Sequence, residues 1–220
     1  MAFDVLDEHE QGELVQKWLR ENAMAIAVGI GLGLALIFGW QQWQTHKATA
    51  AAAASAQFQA LTEAVAAKKD EDAQKVAAAI RSEYPQSIYS VFAALQQADL
   101  AVQKGDLNGA AEQLAWAREH AKTSPLQWLI DLRSARIKLA QGDAAAALKL
   151  ADGVGADNYV ALAGELRGDA LAKLGRNDEA RKAYEAVLAA TDTQGVDRNL
   201  LQMKLDNLGA SAPAAQKPAT

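Results

Sequence analysis

Residues 165–188 read ELRGDALAKLGRNDEARKAYEAVL. Two stretches of helical period flank a single glycine, Gly175, and the second runs on as Ala180, Ala183, Tyr184, Val187 and Leu188, one face of a helix. A lone glycine there suits the left-handed residue that follows a helix C-terminus, because it has no Cβ to penalise positive φ. Asn177 can then cap a second helix with its side-chain oxygen, and the acids Asp178 and Glu179 complement that helix's dipole. The stretch predicts a helical hairpin. Gly168 and Ala180 are small where the two helices would cross, which lets them approach closely.

The same frame occurs twice upstream. Ala98, Gly105, Ala110 and Ala135, Gly142, Ala147 repeat the spacing of Gly168, Gly175, Ala180, with Asp106 and Asp143 placed as caps. The glycines recur after 37 and then 33 residues, close to the tetratricopeptide period of about 34, in which stacked hairpins bury one continuous core. Ser124–Pro125 starts a further helix, since proline suits the first helical position. Ile88, Val91, Phe92, Leu95 and Val102 form one stripe. Helix 125–141 has two, Leu126, Leu129, Ile130, Ile137 and Trp128, Leu132, Ala135, Leu139, so it belongs inside an array with neighbours on both sides. A degenerate hairpin without the glycine is expected over 50–84, turning near Asp70. A cap helix is expected over 195–208 through Val196, Leu200, Leu201, Leu205 and Leu208. The tail 209–220, GASAPAAQKPAT, has no apolar period and is expected to be disordered.

Ahead of the repeat, residues 23–40 read AMAIAVGIGLGLALIFGW, with no charge or strongly polar group. A bilayer core needs about 20 such residues, and the eight Ile, Val, Leu and Phe favour insertion by roughly 2–5 kcal/mol, offset in part by four glycines. Trp18 precedes the run, and Trp40 and Trp43 close it, as aromatic belts do at the two interfaces. The fold class is therefore all-α: one N-terminal transmembrane helix, 23–43, and a tetratricopeptide-like helical-hairpin solenoid, 44–208, whose Ala-rich start continues the helix out of the membrane. Ala48 and Ala50 could suit signal cleavage, but they lie well past the apolar run and the preceding segment is net acidic, so a retained anchor is the better reading. Lys17 and Arg20 ahead of the span, against His46 and Lys47 after it, slightly favour a cytoplasmic N-terminus. Gly29 and Gly33 form a G-x-x-x-G pair, and Ala27, Gly31, Ala35 and Gly39 line a second small-residue stripe. These are candidates for packing against another membrane helix, the bland alternative being that glycine is common in spans. GIGLG is no dinucleotide fingerprint, for it lacks a strand–turn–helix context.

Composition narrows the function. The net charge of −5 is concentrated in residues 1–22, where six acids face Lys17 and Arg20; the rest is nearly neutral and has no basic patch suited to nucleic acid. The chain has no cysteine, hence neither disulfides nor thiolate metal sites. His9 lies in an acidic segment expected to be disordered, His46 is juxtamembrane, and His120 is on a polar helix face, so no ligand set forms. No nucleotide-binding, nucleophile-elbow or metalloprotease motif occurs, and pairs such as Asp70/Asp72 stand at helix starts. No catalytic, cofactor or metal residues are expected, no small-molecule substrate, and no enzyme.

Trp116 is the one aromatic that the apolar stripes leave out. With Leu107, Ala110, Leu114, Ala117 and Ala121 buried, it points the other way, among Glu112, Gln113, Glu119 and His120. Two readings stand: the next repeat covers it, with Trp128 as the candidate cover, or Trp116, Glu112 and Glu119 form an exposed partner-binding patch.

The opening EQGELVQKWLRENAMAIAVGIGLGLALIFGWQQW, the segments LIDLRSARIKLA and ELRGDALAKLGRNDEARKAYEAVL, and the closing LLQMKLDNLG resemble YfgM-type proteins, ancillary subunits of the bacterial SecYEG translocon. The resemblance spans nearly the whole chain. It implies a single-pass inner-membrane protein with a periplasmic repeat domain that associates with the translocon and with a PpiD-like membrane-anchored chaperone, assisting transfer of secreted proteins. Without the resemblance, an envelope-assembly or division scaffold using the same repeats is the competing reading.

Overall fold

A computed structural model describes residues 8–155, 159–190 and 195–210. All the regular structure among them is helical: α1 Glu8–Ala66, α2 Asp70–Glu83, α3 Ile88–Gln103, α4 Leu107–His120, α5 Ser124–Ala140, α6 Ala144–Asp152, α7 Val160–Lys173, α8 Asn177–Ala189 and α9 Arg198–Ala210. The chain divides into two compact units, Met1–Ala53 and Ala54–Thr220. In the first, helix begins at Glu8, so the surroundings of His9 are not the disordered segment expected. Glu, Gln, Leu, Lys and Arg dominate residues 8–22, and their helix propensity outweighs their charge. At the other end α9 extends through Ala210, so Gly209 and Ala210 are helical rather than part of the tail; residues 211–220 lie outside the described residues.

In the second unit each helix packs chiefly on its sequence neighbours, with α5 also touching α7. Four turns share one hydrogen-bond pattern. Gly105, Gly142 and Gly175 have φ of 77°, 85° and 75°. Each donates its N–H three residues back, and the next N–H reaches five back: Gly105 to Val102 and Asp106 to Ala101, Gly142 to Leu139 and Asp143 to Lys138, Gly175 to Ala172 and Arg176 to Leu171. This satisfies carbonyls that the helix end leaves free. The degenerate hairpin makes the same closure with a lysine. Lys68, at φ 56°, donates to Val65, and Lys69 donates to Ala64.

The second helix of each hairpin starts one residue past the turn. Asp106 accepts from the Gly109 N–H at 2.8 Å and Asp143 from the Ala146 N–H at 3.0 Å. Asn177 is not a cap. That position is Arg176, whose side chain instead makes two bonds, 2.7 and 2.6 Å, to Glu179. The four starts divide the work between two devices. Where Asp caps, the first turn has no acid; where Lys69 or Arg176 holds the cap position, the first turn carries Asp70, Glu71 and Asp72, or Asp178 and Glu179.

The small frame residues are enclosed. Ala98, Ala110, Ala135, Ala147 and Ala180 are at most 2 % exposed. A Cβ on Gly168 would stand 2.2 Å from the Tyr184 ring, so here only glycine fits. Leu61, Ala73, Ala77 and Ile80 bury the first hairpin together with Ala93 and Leu100 of α3, and Phe58 joins the aromatic rings of Tyr89 and Phe92. Polar links between hairpins keep the period. Asp70–Lys104, Asp99–Arg133, Leu107–Gln141 and Asp169–Lys204 are 34, 34, 34 and 35 residues apart. By that register α9 stands where the first helix of a fifth hairpin would.

Candidate interaction surfaces

In the first unit the apolar part of α1 is long enough to cross a membrane, and none of it is buried by the protein. Nothing lies within 4 Å of where a Cβ would stand on Gly29, Gly31, Gly33 or Gly39, and Ala35 is exposed. The small-residue stripes are thus bare in the monomer. At the end of the apolar run the Trp40 and Trp43 rings lie 5.0 Å apart, and the Lys47 ammonium sits 3.6 Å from the Trp43 ring centre, an amphipathic cluster of the kind found at a membrane interface.

In the second unit Trp116 is neither bare nor covered by Trp128. Its ring is stacked on His120 at 3.8 Å, and the Arg81 guanidinium of α2 lies 4.2 Å over it. Two groups so close cannot share one face of the ring, so Trp116 is sandwiched. Gln113 accepts from Arg81 at 2.5 Å, and the His120 Nδ1 lies 2.9 Å from the Trp116 carbonyl oxygen, fixing both covers. Burial lowers the Arg81 pKa without neutralising so strong a base. Glu112 and Glu119 stand exposed on the same side of α4. Arg81 escaped the sequence reading because apolar stripes are drawn one helix at a time, although its separation from Gln113 is close to the repeat period.

The C-terminal end holds a charge cluster that the sequence reading missed. The Lys204 ammonium of α9 donates to Glu165 at 2.7 Å and Asp169 at 2.8 Å, both on α7, and the Tyr184 hydroxyl donates to Asp169 at 2.8 Å. Burial works against the ammonium, but its bonds to Asp169 and Glu165 win and hold its pKa above the ordinary lysine value. Burial, then the Asp169 hydrogen bond, pushes the Tyr184 phenol well above the ordinary tyrosine value. One cation between two acids and a buried phenol fixes α9 to the array.

Anchor and repeat together match known proteins. A family model described as "Tetratricopeptide repeat-like domain" covers residues 16–210. The chain is 33 % identical over 205 residues to the "Ancillary SecYEG translocon subunit" of Escherichia coli (strain K12), covering 92 % of this chain and 97 % of that protein. The chain belongs to this family of ancillary translocon subunits. A second family member, from Neisseria gonorrhoeae (strain ATCC 700825 / FA 1090), is 32 % identical over 129 residues, 59 % of this chain and 62 % of the relative. No solved structure matches the chain. The family match begins inside α1, ahead of the apolar run, and ends with α9, so both units belong to the family architecture.

Proposed function

We propose that the chain is a non-enzymatic scaffold of the bacterial inner membrane that binds the SecYEG translocon and a PpiD-like membrane-anchored chaperone, assisting the transfer of secreted proteins. The observation that carries this is the end-to-end correspondence with the Escherichia coli ancillary subunit, anchor and repeat included. The bare Gly29/Gly33 and Gly31/Ala35/Gly39 stripes support association within the membrane, since small residues let helix backbones meet where no hydrophobic force drives them together. The sandwiched Trp116, with Glu112 and Glu119 beside it, supports a second contact on the repeat. In this reading residues 1–22 are cytoplasmic, as Lys17 and Arg20 favour, and the domain beyond about residue 47 is periplasmic.

The test is purification of the full chain from membranes in a mild detergent, with identification of what accompanies it. SecYEG and a membrane-anchored chaperone are expected; a preparation containing neither overturns the reading. Protease added to spheroplasts should digest the repeat domain and spare the N-terminal segment, and a protected repeat domain reverses the orientation.

A further inference from the structure

Between the first helices of the second and third hairpins, α3 and α5, lies an open cavity of about 280 Å³. Its floor is apolar: Ala98, Leu114 and Ile137 are nearly fully buried, and the half-exposed Val102 continues that surface outward. Its rim is charged, with Arg133, Arg136 and Asp99. Nη1 of Arg133 donates to both oxygens of Asp99 at 3.1 Å. Arg136, three residues on, has no ion pair or hydrogen bond among the described residues. Beside the polar cavity near Asp70, by contrast, Lys104 is held by Asp70 at 2.7 Å.

From this we infer that the α3–α5 cavity is a docking site for a partner protein segment carrying an acidic side chain next to an aliphatic one. The deduction deepens the scaffold reading, on which it rests for the class of partner. An apolar floor gains from desolvating an aliphatic side chain, and a guanidinium with five unused donors gains from a planar carboxylate. The rim carries two cations against one anion, so its complement is negative. The protein already shows how an acid meets this rim. Asp99 sits between Ala98 and Leu100 in sequence and places its carboxylate on Arg133; a partner acid would do the same on Arg136. Arg136 discriminates, the floor anchors, and Asp99 limits Arg133 by occupying it.

The test uses the full-length protein in detergent on an array of short peptides in an Ala–Gly background. Leu is placed beside Asp, beside Asn or beside Lys, and a further set has Asp without Leu, each with free and amidated C-termini. The Leu–Asp peptides should bind about tenfold better than the Leu–Asn peptides, as a charged hydrogen bond lost on one side implies. Arg136→Glu should remove that preference, and Asp99→Asn, by freeing Arg133, should increase it. Neither changed residue is buried, so thermal melts of both variants should stay near wild type. Equal binding of the Asp and Asn peptides overturns the inference, as does an unchanged preference in Arg136→Glu. Dependence on a free C-terminus also overturns it, in favour of terminal carboxylates. A wild-type protein that co-purifies with SecYEG yet shows no Asp preference refutes the cavity and leaves the scaffold reading standing. Retained Asp preference without SecYEG refutes the scaffold reading alone.

Discussion

Lys68 holds in the first hairpin the backbone conformation that Gly105 holds in the second: φ 56° against 77°, closed by the same pair of hydrogen bonds. A lysine pays for that with Cβ crowding of about 1–2 kcal/mol. Lys68→Gly should therefore stabilise the repeat by about 1 kcal/mol, part of the gain being offset by a more flexible unfolded chain. Gly175→Val should cost at least that much, although nothing stands within 4 Å of its added Cβ. Thermal melts of the two variants check both signs; an unmoved melt for Gly175→Val would mean that the turn tolerates a side chain.

Gly168 and Gly175 are both glycines of one hairpin, needed for different reasons. Gly168 is helical and blocked by the Tyr184 ring, 2.2 Å from any Cβ, while Gly175 has open space and positive φ. Gly168→Ala should cost about 1–3 kcal/mol through overpacking. The companion Tyr184→Leu should recover part of that loss in the double variant. Additive losses in the cycle would show that the ring is not what excludes the methyl group.

The Trp116 sandwich makes a graded prediction. A partly buried ring should lose less on truncation than the roughly 3–5 kcal/mol of a fully buried aromatic, so Trp116→Ala should cost about 1–3 kcal/mol. Part of this is shared with Arg81. A double-mutant cycle with Arg81→Ala should give a coupling of about 0.5–1 kcal/mol, the size of a cation–π contact at a partly exposed site. A coupling of zero would reduce the stacking to proximity.

The α9 cluster predicts alkaline sensitivity. Lys204 and Tyr184 are both shifted upward on folding. Each then contributes stability that is complete below its ordinary value, 10.5 or 10.0, and is lost as pH rises through the higher folded value. The melting temperature should fall above about pH 10, and limited proteolysis should then cut first beside α9. Lys204→Met should cost about 2 kcal/mol at neutral pH by leaving Glu165 and Asp169 without their cation, and should flatten the lysine's share of the alkaline decline.

The repeat was legible because each glycine turn imposes a backbone demand that one residue type meets best, and three such demands at regular spacing are hard to mistake. Lys68 carries no such mark, so its hairpin could be located but its closure could not. Asn177 misled through residue type: its oxygen suits a cap, but offset from the glycine, not chemistry, sets where the helix begins, and Arg176 falls there. Trp116 shows a different gap. Its cover comes from Arg81 on another helix, and helical periodicity says nothing about what a neighbour places over an exposed face. The Lys204 cluster joins three helices through single charges, which look like solvated side chains until the fold brings them together.

An offset of 34 or 35 residues between linked residues, Asp70 to Lys104, Asp99 to Arg133 and Asp169 to Lys204, ties neighbouring hairpins together at one repeat length. Two kinds of link recur: Asp99 to Arg133 and Asp169 to Lys204 start six residues before a turn glycine, while Asp70 to Lys104 and Leu107 to Gln141 run from the first residue of a second helix to the residue just before the next turn glycine. A change of length by one whole repeat keeps the turns in step, but the polar partners differ from junction to junction: six residues before the turn glycine stand Asp99, Arg136 and Asp169 in successive hairpins. A shift by half a repeat would put the turns themselves out of step, so the register limits which changes of length the fold tolerates.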